Sequence, residues 1–386
     1  TINPKRKDSN DGDLKNLAGV GVAFKFAQAL VKEGLIKKGQ EKWLLDLVLI
    51  GTICESMQLI GENHILGFYG LKVLTKTRRE GLKELTKSAG IKKLNSESIG
   101  FGIGPRLNAA GRLDTANLSL NLLRAKDRPS AAALAEKLET LNKKRKTEQT
   151  SATREIEERG VGDEPVIIET GKWHEGILGI VAGRLVEKYH QPAFVLTEVE
   201  NGVLKGSGRS FGDFNLAEAL NFAKNSIISG GGHAAAAGVK LEQKNLYQFR
   251  EQINEYYKSL HLENQEKYLI SQPDLDIENI GELSLDFLEE LKQLEPFGLG
   301  NEEPIFRLKN IEIIEIKKMG SECQHLRIDI KGKDGSIIKL ISFFSPDDWL
   351  NLDYTDEIEP TVQLIENKWN GVRSVEASIL KLDPKN

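Results

Sequence analysis

A run of three glycines, a histidine and four alanines restricts the fold of this chain more than any other segment. It reads Ser-Gly-Gly-Gly-His-Ala-Ala-Ala-Ala-Gly over residues 229–238. Ordering three glycines costs backbone entropy, so such a run is typical of a main chain that closely approaches another group. Glycine N–H groups can surround a phosphate, and a histidine adds a donor that can be charged. The run predicts a phosphate-binding turn made by Gly231, Gly232 and His233; the alternative is a flexible turn beside a surface histidine.

A second segment with phosphate-binding chemistry lies a short helix upstream. Residues 203–210 read Val-Leu-Lys-Gly-Ser-Gly-Arg-Ser. Hydroxyl groups and a guanidinium are the groups that hold phosphate oxygens. A Gly-Ser-Gly turn alone is common in loops, but two such segments in one small α/β region favour a shared site. Ser207, Arg209 and Ser210 are therefore predicted to bind phosphate as a second loop.

Two arginines six residues apart form a third candidate. Residues 102–113 read Gly-Ile-Gly-Pro-Arg-Leu-Asn-Ala-Ala-Gly-Arg-Leu, where small residues leave the backbone accessible. Arg106 and Arg112 are predicted to clamp phosphates, and Asn108 to orient a phosphate or contact a sugar. The alternative is a loop whose arginines pair with local carboxylates such as Asp114.

Two further side chains are candidates on position alone. His174 stands just before an apolar helix, where the N-terminal dipole favours anions, so it is predicted either to bind a substrate phosphate or to cap or pack the helix. Glu55 follows the dense apolar run at residues 44–53 and is the candidate metal ligand, because carboxylates bind hard divalent cations. No cluster of histidines and carboxylates accompanies it in the sequence.

Length and composition limit the class of protein. A chain of 386 residues exceeds one ordinary core, so two or three domains are expected. Hydrophobic residues make up 39% and charged residues 28%, as in a soluble globular protein, and no apolar run reaches the length of a membrane span. Cys54 and Cys323 lack metal-ligand spacing and fit a reducing cytoplasm. The net charge of −4 implies that any polyanion site is a local patch.

Patterns of hydrophobicity and turn residues predict the order of elements. Asp127 as a cap, Pro129 in the first turn and Gly160 as a stop predict one long helix. Residues 44–53 are either a buried helix or a central strand, since periodicity cannot decide. Residues 99–114 are predicted to be a glycine-broken loop. Residues 161–260 are predicted to be a compact α/β domain in the order strand, helix, strand, strand, loop and helix, and residues 305–382 a small barrel or sandwich.

Taken in order, these motifs resemble RecJ-type single-stranded-DNA exonucleases of the DHH phosphoesterase superfamily. The resemblance covers almost the whole chain and is carried by residues 3–5, 17–23, 46–52, 104–112, 173–174, 206–210, 231–238, 296–301 and 367–371. It implies an α/β fold of four parts. These are the C-terminal part of a DHH phosphoesterase domain (1–126), a connecting helix (127–160), a DHH-associated α/β domain (161–265), and an acidic helical linker with a barrel like the oligonucleotide-binding (OB) fold (266–386).

The resemblance also implies a function. It is 5′→3′ exonuclease activity on single-stranded DNA in repair and recombination, with two Mn²⁺ or Mg²⁺ ions activating water. The implied partners are single-stranded DNA and a helicase or single-strand-binding protein, with no membrane. The DHH signature and the earlier metal-binding aspartates are absent from these residues, and Glu55 stands where the family has an aspartate. We therefore expect the catalytic ligands upstream of Thr1, and no nuclease activity from residues 1–386 alone.

Two other functions remain open. One is a catalytically impaired DNA-binding or replisome scaffold, which a glutamate at a metal-ligand position would permit. The other is a phosphodiesterase for short oligonucleotides or cyclic dinucleotides. The predicted C-terminal barrel argues against the second, because a small substrate has no use for an added strand-binding module.

Overall fold

The computed structural model of the chain describes residues 3–6, 12–262, 268, 272–321 and 323–384. Its backbone separates into two compact units. The first unit comprises residues 1–38, 47–71 and 269–386, and the second unit comprises residues 39–46 and 72–268. The four domain boundaries expected from the sequence stay predictions. Among the described residues, no helix combines the length and the apolar character needed to span a membrane.

Twelve α-helices lie within the described residues. They are α1 (Gly19–Lys32), α2 (Leu45–Cys54), α3 (Gly61–Leu74), α4 (Glu80–Ser88), α5 (Gly104–Leu113), α6 (Asn117–Arg124), α7 (Arg128–Arg159), α8 (Leu178–Tyr189), α9 (Leu216–Phe222), α10 (Leu246–Ser259), α11 (Leu285–Leu291) and α12 (Asp347–Leu350). Of the two alternatives for residues 44–53, the structure contains the helix, α2.

The strands of the described residues form two sheets. The five-stranded sheet has the order β1-β2-β3-β5-β4 and the seven-stranded sheet the order β6-β7-β11-β12-β10-β9-β8. The strands are β1 (Ile167–Gly171), β2 (Ala193–Glu200), β3 (Val203–Arg209), β4 (Ser229–Gly232), β5 (Ala236–Glu242), β6 (Leu275–Ile277), β7 (Phe306–Leu308), β8 (Ile311–Met319), β9 (His325–Gly332), β10 (Ile337–Ser342), β11 (Ile358–Trp369) and β12 (Val372–Pro384).

The long helix α7 begins and ends where the sequence predicts. The Asp127 side chain accepts the Ser130 N–H at 2.9 Å as the N-cap, Pro129 lies in the first turn, and Gly160 ends the helix at φ 78°. A proline is tolerated there because the first N–H groups of a helix have no intrahelical partner. The helix therefore follows from local signals.

The prediction of a loop at residues 99–114 is wrong. A π-helical turn over Ser98–Ile103 runs directly into α5. Gly104, Ala109 and Ala110 are buried, and α5 packs on α7. Small side chains let two helices approach closely, and this packing outweighs the low helix propensity of glycine.

Residues 166–260 form three layers around the five-stranded sheet. Ile167 and Val195 face α8 and the end of α7, while the adjacent Ile168 and Leu196 face α9 and α10. Because the first residues of β1 and β2 are covered on both faces, residues 166–168 and 193–196 read as short apolar runs in the sequence. The domain is α/β as predicted, and the short helix expected between the two candidate phosphate-binding segments is α9, but the sequence reading missed the hairpin β4–β5.

The seven-stranded sheet surrounds one apolar core to which every strand contributes. Leu308 of β7, Ile328 and Ile330 of β9, and Leu340 of β10 are completely buried there. The segment after α11 packs on the start of α3, where the Leu59 N–H donates to Leu299 O at 2.7 Å. In the same place His64 Nε2 bonds to Leu294 O at 3.1 Å.

Candidate nucleic-acid interface

Arg209 lies at the end of β3, against the first turn of α8. Ser207 and Arg209 are two residues apart in the strand and therefore project from the same face of the sheet. Arg209 Nη1 donates to Ser207 Oγ at 3.1 Å and to Gly208 O at 2.8 Å. A Cβ on Gly179 would lie 2.8 Å from Arg209 Nη2 and 2.9 Å from Ser207 Oγ. The hydroxyl, the guanidinium and the N-terminus of α8 thus meet, and each favours an anion.

Arg112 reaches the same end of α8 from the last turn of α5. Its Nη1 donates to Gly176 O at 3.1 Å, just before α8 begins. A Cβ on Gly176 would lie 2.2 Å from Arg112 O, so this close approach requires glycine. Burial lowers the pKa of Arg112, and burial together with the charge of Arg112 lowers the pKa of Arg209. A guanidinium nevertheless stays charged in a protein, so two positive charges lie close together.

A third guanidinium, that of Arg145 on α7, belongs to this group, and the sequence analysis missed it. Its side chain is buried, and burial, the charge of Arg112 and the charge of Arg106 all lower its pKa. A helical period would have revealed it, since Asn142 and Arg145 continue the buried stripe of Ala135 and Leu138. We call Arg112, Arg145 and Arg209 the guanidinium cluster.

No member of the guanidinium cluster forms an ion pair with a carboxylate in the described part of the chain. Their hydrogen bonds go to backbone carbonyls, a hydroxyl and side-chain amides. Buried or half-buried charges are normally paired, because removing a charge from water is costly. An uncompensated positive cluster beside a helix N-terminus is therefore suited to an external anion.

Arg106 differs from its neighbours because its charge is already paired. Its Nε donates to Glu139 of α7 at 2.5 Å, and its Nη1 donates to Gly102 O at 2.8 Å. The carboxylate partner is thus Glu139 rather than Asp114. Asn108 is exposed on α5, on the helix that carries both arginines. The predicted contacts of Arg106 and Asn108 with DNA stay predictions.

The prediction of two glycine-rich loops is wrong about local structure. Gly231 and Gly232 lie in β4, the exposed edge strand, paired antiparallel with β5. The turn follows them, and the His233 N–H donates to Ala236 O at 2.9 Å. Gly232 has φ 155°, and a Cβ there would lie 2.3 Å from Ala236 O, so the hairpin requires this glycine. Backbone pairing thus orders residues that carry no side chain to pack.

The other phosphate-loop residues occupy a strand and its end. Ser207 and Arg209 lie in the central strand β3 rather than in a loop. Ser210 joins β3 to the turn of the β4–β5 hairpin, since its N–H donates to Ala235 O at 3.0 Å and its hydroxyl donates to Phe214 O. The exposed His233 ring lies in that same turn. Phosphate binding by Ser210, Gly231, Gly232 and His233 stays a prediction.

His174 caps the short turn that precedes α8. Its Nδ1 accepts the Gly176 N–H at 3.0 Å, so a neutral ring carries its proton on Nε2. The neighbouring Glu175 binds Lys205 Nζ at 2.5 Å, and this bond lowers the pKa of Glu175. The exposed Nε2–H of His174 remains a donor, so its predicted contact with phosphate stays a prediction.

Glu55 is exposed just after α2 and does not belong to a ligand cluster. Among the described residues, no group of three histidine, cysteine, aspartate or glutamate side chains could hold a metal ion. Glu55 instead affects its neighbour Cys54. Burial, and secondly the charge of Glu55, raise the pKa of the Cys54 thiol to about 11. The described residues therefore do not fit a two-metal centre.

A separate aromatic surface lies on the seven-stranded sheet, at the end of β10. Phe343 is 69% exposed and Phe344 is 77% exposed. The His325 ring lies edge-on to both, with centroid distances of 5.3 and 4.8 Å, and its Nδ1 accepts the Phe344 N–H at 3.0 Å. Phe344 has φ 54°, an uncommon conformation for a bulky side chain. The two rings are thus held in solvent by a defined turn.

Comparison with known proteins identifies both sheet-bearing regions. A family model of the DHHA1 domain matches residues 163–259, and a model of the RecJ OB domain matches residues 274–381. The chain is 34% identical over 331 residues to the single-stranded-DNA-specific exonuclease RecJ of Bacillus subtilis. The matched region covers 84% of this chain and 41% of that protein. Against RecJ of Escherichia coli it is 30% identical over 412 residues, covering 99% of this chain and 70% of that protein.

The structural comparison agrees with the sequence comparison. RecJ of Thermus thermophilus, solved in complex with Mg²⁺, superposes with a TM-score of 0.81 at 28% identity. The match covers 99% of this chain and 57% of that one, so the present chain spans between two fifths and about 70% of these relatives. The chain is 30% identical to RecJ of Escherichia coli and covers 70% of that protein. It therefore belongs to the RecJ family of single-stranded-DNA-specific exonucleases.

Proposed function

We propose that this chain binds the phosphate backbone of single-stranded DNA through Arg112 and Arg209 of the guanidinium cluster, as the substrate-holding part of a RecJ-type 5′→3′ exonuclease. The observation that supports the proposal is that Arg112 and Arg209 lie at the N-terminus of α8, beside Ser207, without a carboxylate partner among the described residues. Charge-assisted hydrogen bonds from arginine are among the strongest that a phosphate receives. The net charge of −4 gives no general attraction for DNA, so a local cluster is required.

Each residue has a distinct part in this proposal. Arg209 and Ser207, with the first N–H groups of α8, bind one phosphate group. Arg112 binds the next phosphate, because its bond to Gly176 O holds it just before the same helix. Phosphate contacts of this kind hold a strand in register but carry no sequence information, as expected for a nuclease without sequence preference. The exposed rings of Phe343 and Phe344 would stack on bases, which are freely available only in a single strand.

Cleavage is a separate matter from binding. In the family's two-metal chemistry, the ions generate a nucleophile from water near neutral pH, which arginines do not do. Because the described residues do not fit such a centre, we expect the 386-residue chain to bind single-stranded DNA without digesting it in Mn²⁺ or Mg²⁺. A DNA-binding scaffold is the second candidate function. It is favoured by the exposed, solitary position of Glu55.

The test is equilibrium binding of the purified chain to a labelled oligothymidylate and to a duplex of equal length. We expect preference for the single strand, with an affinity that falls steeply between about 50 and 200 mM salt. The same samples, incubated with Mn²⁺ or Mg²⁺, should yield no shortened product. Equal binding to duplex would contradict the single-strand assignment, and clear digestion would exclude the scaffold function.

A further inference from the structure

We propose that Arg145 is a positioning charge of the phosphate site, and that the neutral side chain of Asn142 keeps that charge available to DNA. Arg145 would not touch a phosphate itself. Arg145 lies on α7, which packs against α5, the helix that carries Arg112, and against the turn that contains Gly176. From there it would raise the positive potential at Arg112. This inference rests on the proposed function, because it assigns a further residue to the same phosphate-binding surface.

The geometry around Arg145 supports this role. The residue is 8% exposed, and its Nε and Nη2 donate to Asn142 Oδ1 at 3.3 and 3.0 Å. Its Nη1 donates to Gln149 Oε1 at 3.4 Å. Both acceptors are neutral amides on the same helix, three residues before and four residues after the arginine. The guanidinium is therefore held in place without losing its net charge.

The carboxylates that α7 carries nearby are engaged with other cations. Glu139 pairs with Arg106 at 2.5 Å; Glu148 Oε1 lies 3.8 Å from Lys144 Nζ, and its Oε2 is buried without a hydrogen-bond partner among the described residues. An aspartate at position 142 would be the simplest way to compensate Arg145, because it has the shape of asparagine. It would also replace Asn142 Nδ2, which is buried without a hydrogen-bond partner. Local stability alone thus favours aspartate at this position, whereas attraction of DNA favours asparagine.

The decisive variant is Asn142→Asp. It should strengthen the contact between residue 142 and Arg145 while it cancels the positive charge of Arg145. If Arg145 acts electrostatically, the variant should melt at the same or a higher temperature than the parent chain. Its affinity for oligothymidylate should nevertheless fall about tenfold at low salt. The slope of log K against log salt should become shallower, by less than the value of about 0.7 that one contacted phosphate of a single strand contributes. The matched control is Asn221→Asp on α9, an exposed site with the same change of charge, which should retain the parent slope.

A second pair of variants keeps the inference testable if Asn142→Asp does not fold. Arg145→Lys keeps the positive charge and Arg145→Gln removes it, so the lysine variant should bind more tightly and with the steeper salt slope. Parent affinity and slope in Asn142→Asp would overturn the inference, as would equal slopes in the two Arg145 variants. If the parent chain itself bound no oligothymidylate, the proposed function would fail, and that outcome is distinct from a failure confined to Arg145.

Discussion

Two sets of arginines, one in each unit of this protein, differ in their hydrogen-bond partners. In the second unit, Arg112, Arg145 and Arg209 are at least half-buried and bond only to neutral acceptors. In the first unit, Arg327 binds both carboxylate oxygens of Asp329, and Arg373 binds Glu289 and Glu366. The pKa values follow this difference. Burial lowers the pKa of the first three arginines, whereas bonds to carboxylates raise the pKa of Arg327 and Arg373.

The charge of an arginine can serve either the stability of the fold or the binding of a ligand, depending on its partners. A carboxylate-paired arginine has its charge compensated inside the protein, so its main effect is on the stability of the sheet. An arginine held by amides, hydroxyls and carbonyls is fixed in position but still has an uncompensated charge. The arginines of such a site repel one another, and binding of a polyanion compensates their charges.

The largest expected effect is that of Arg209→Ala on binding. Loss of a charge-assisted hydrogen bond to phosphate should weaken binding to oligothymidylate by roughly 1–3 kcal/mol. The salt slope should become shallower, measured by titration at several salt concentrations. The melting temperature should stay the same or rise, because repulsion from Arg112 is relieved.

The matched control for Arg209→Ala is Arg373→Ala. It removes the ion pairs to Glu289 and Glu366, so the melting temperature should fall while the affinity for DNA is retained. If Arg373→Ala weakened DNA binding as much as Arg209→Ala, paired and unpaired arginines would not differ in function. Parent affinity and parent salt slope in Arg209→Ala would remove the basis of the proposed interface.

A second prediction concerns the aromatic surface of the first unit. The double variant Phe343→Ala/Phe344→Ala removes two exposed rings, and stacking contributes about 1–3 kcal/mol per base. We expect weaker binding to long oligonucleotides and a smaller change for short ones, with an unaltered salt slope because no charge is removed. Binding measured over a series of lengths checks this. The exposed Tyr354→Ala is the control, and equal losses at every length would contradict a role in extending the contact.

The smallest expected effect concerns stability as a function of pH. Lys292 and Arg373 bond to Glu366 and lower its pKa to about 2. In the unfolded chain its pKa is about 4.3, so the stabilisation is complete above that pH and is lost as the pH falls towards 2. Glu366→Gln should therefore lower the free energy of unfolding at pH 7 by roughly 1 kcal/mol. Denaturation at a series of pH values should show this difference shrinking below about pH 4, and a constant difference would contradict the ion-pair explanation.

Local signals predicted some elements correctly and others wrongly, for physical reasons. Helix α7 was predicted because Asp127, Pro129 and Gly160 act through their own backbone neighbours. Residues 99–114 were predicted as a loop, since their glycines disfavour an isolated helix. In the folded chain those small residues allow α5 to pack on α7, and that burial decides the conformation. Likewise, the glycine run forms an edge strand because β5 supplies its backbone partners.

The sequence by itself determined the family, the α/β class and the chemistry of the candidate phosphate-binding groups. These depend on residue type and order along the chain, as with Ser207, Arg209 and Arg112. Only the tertiary structure decided which arginine charges are left uncompensated and can therefore bind a phosphate. It paired Arg106 with Glu139 and left Arg112 and Arg209 without a carboxylate. It also brought Arg145 of α7 into the electrostatic range of Arg112 by packing α5 on α7. The reason is that the effective charge of a side chain depends on burial and on neighbours in space, which the order of residues does not specify.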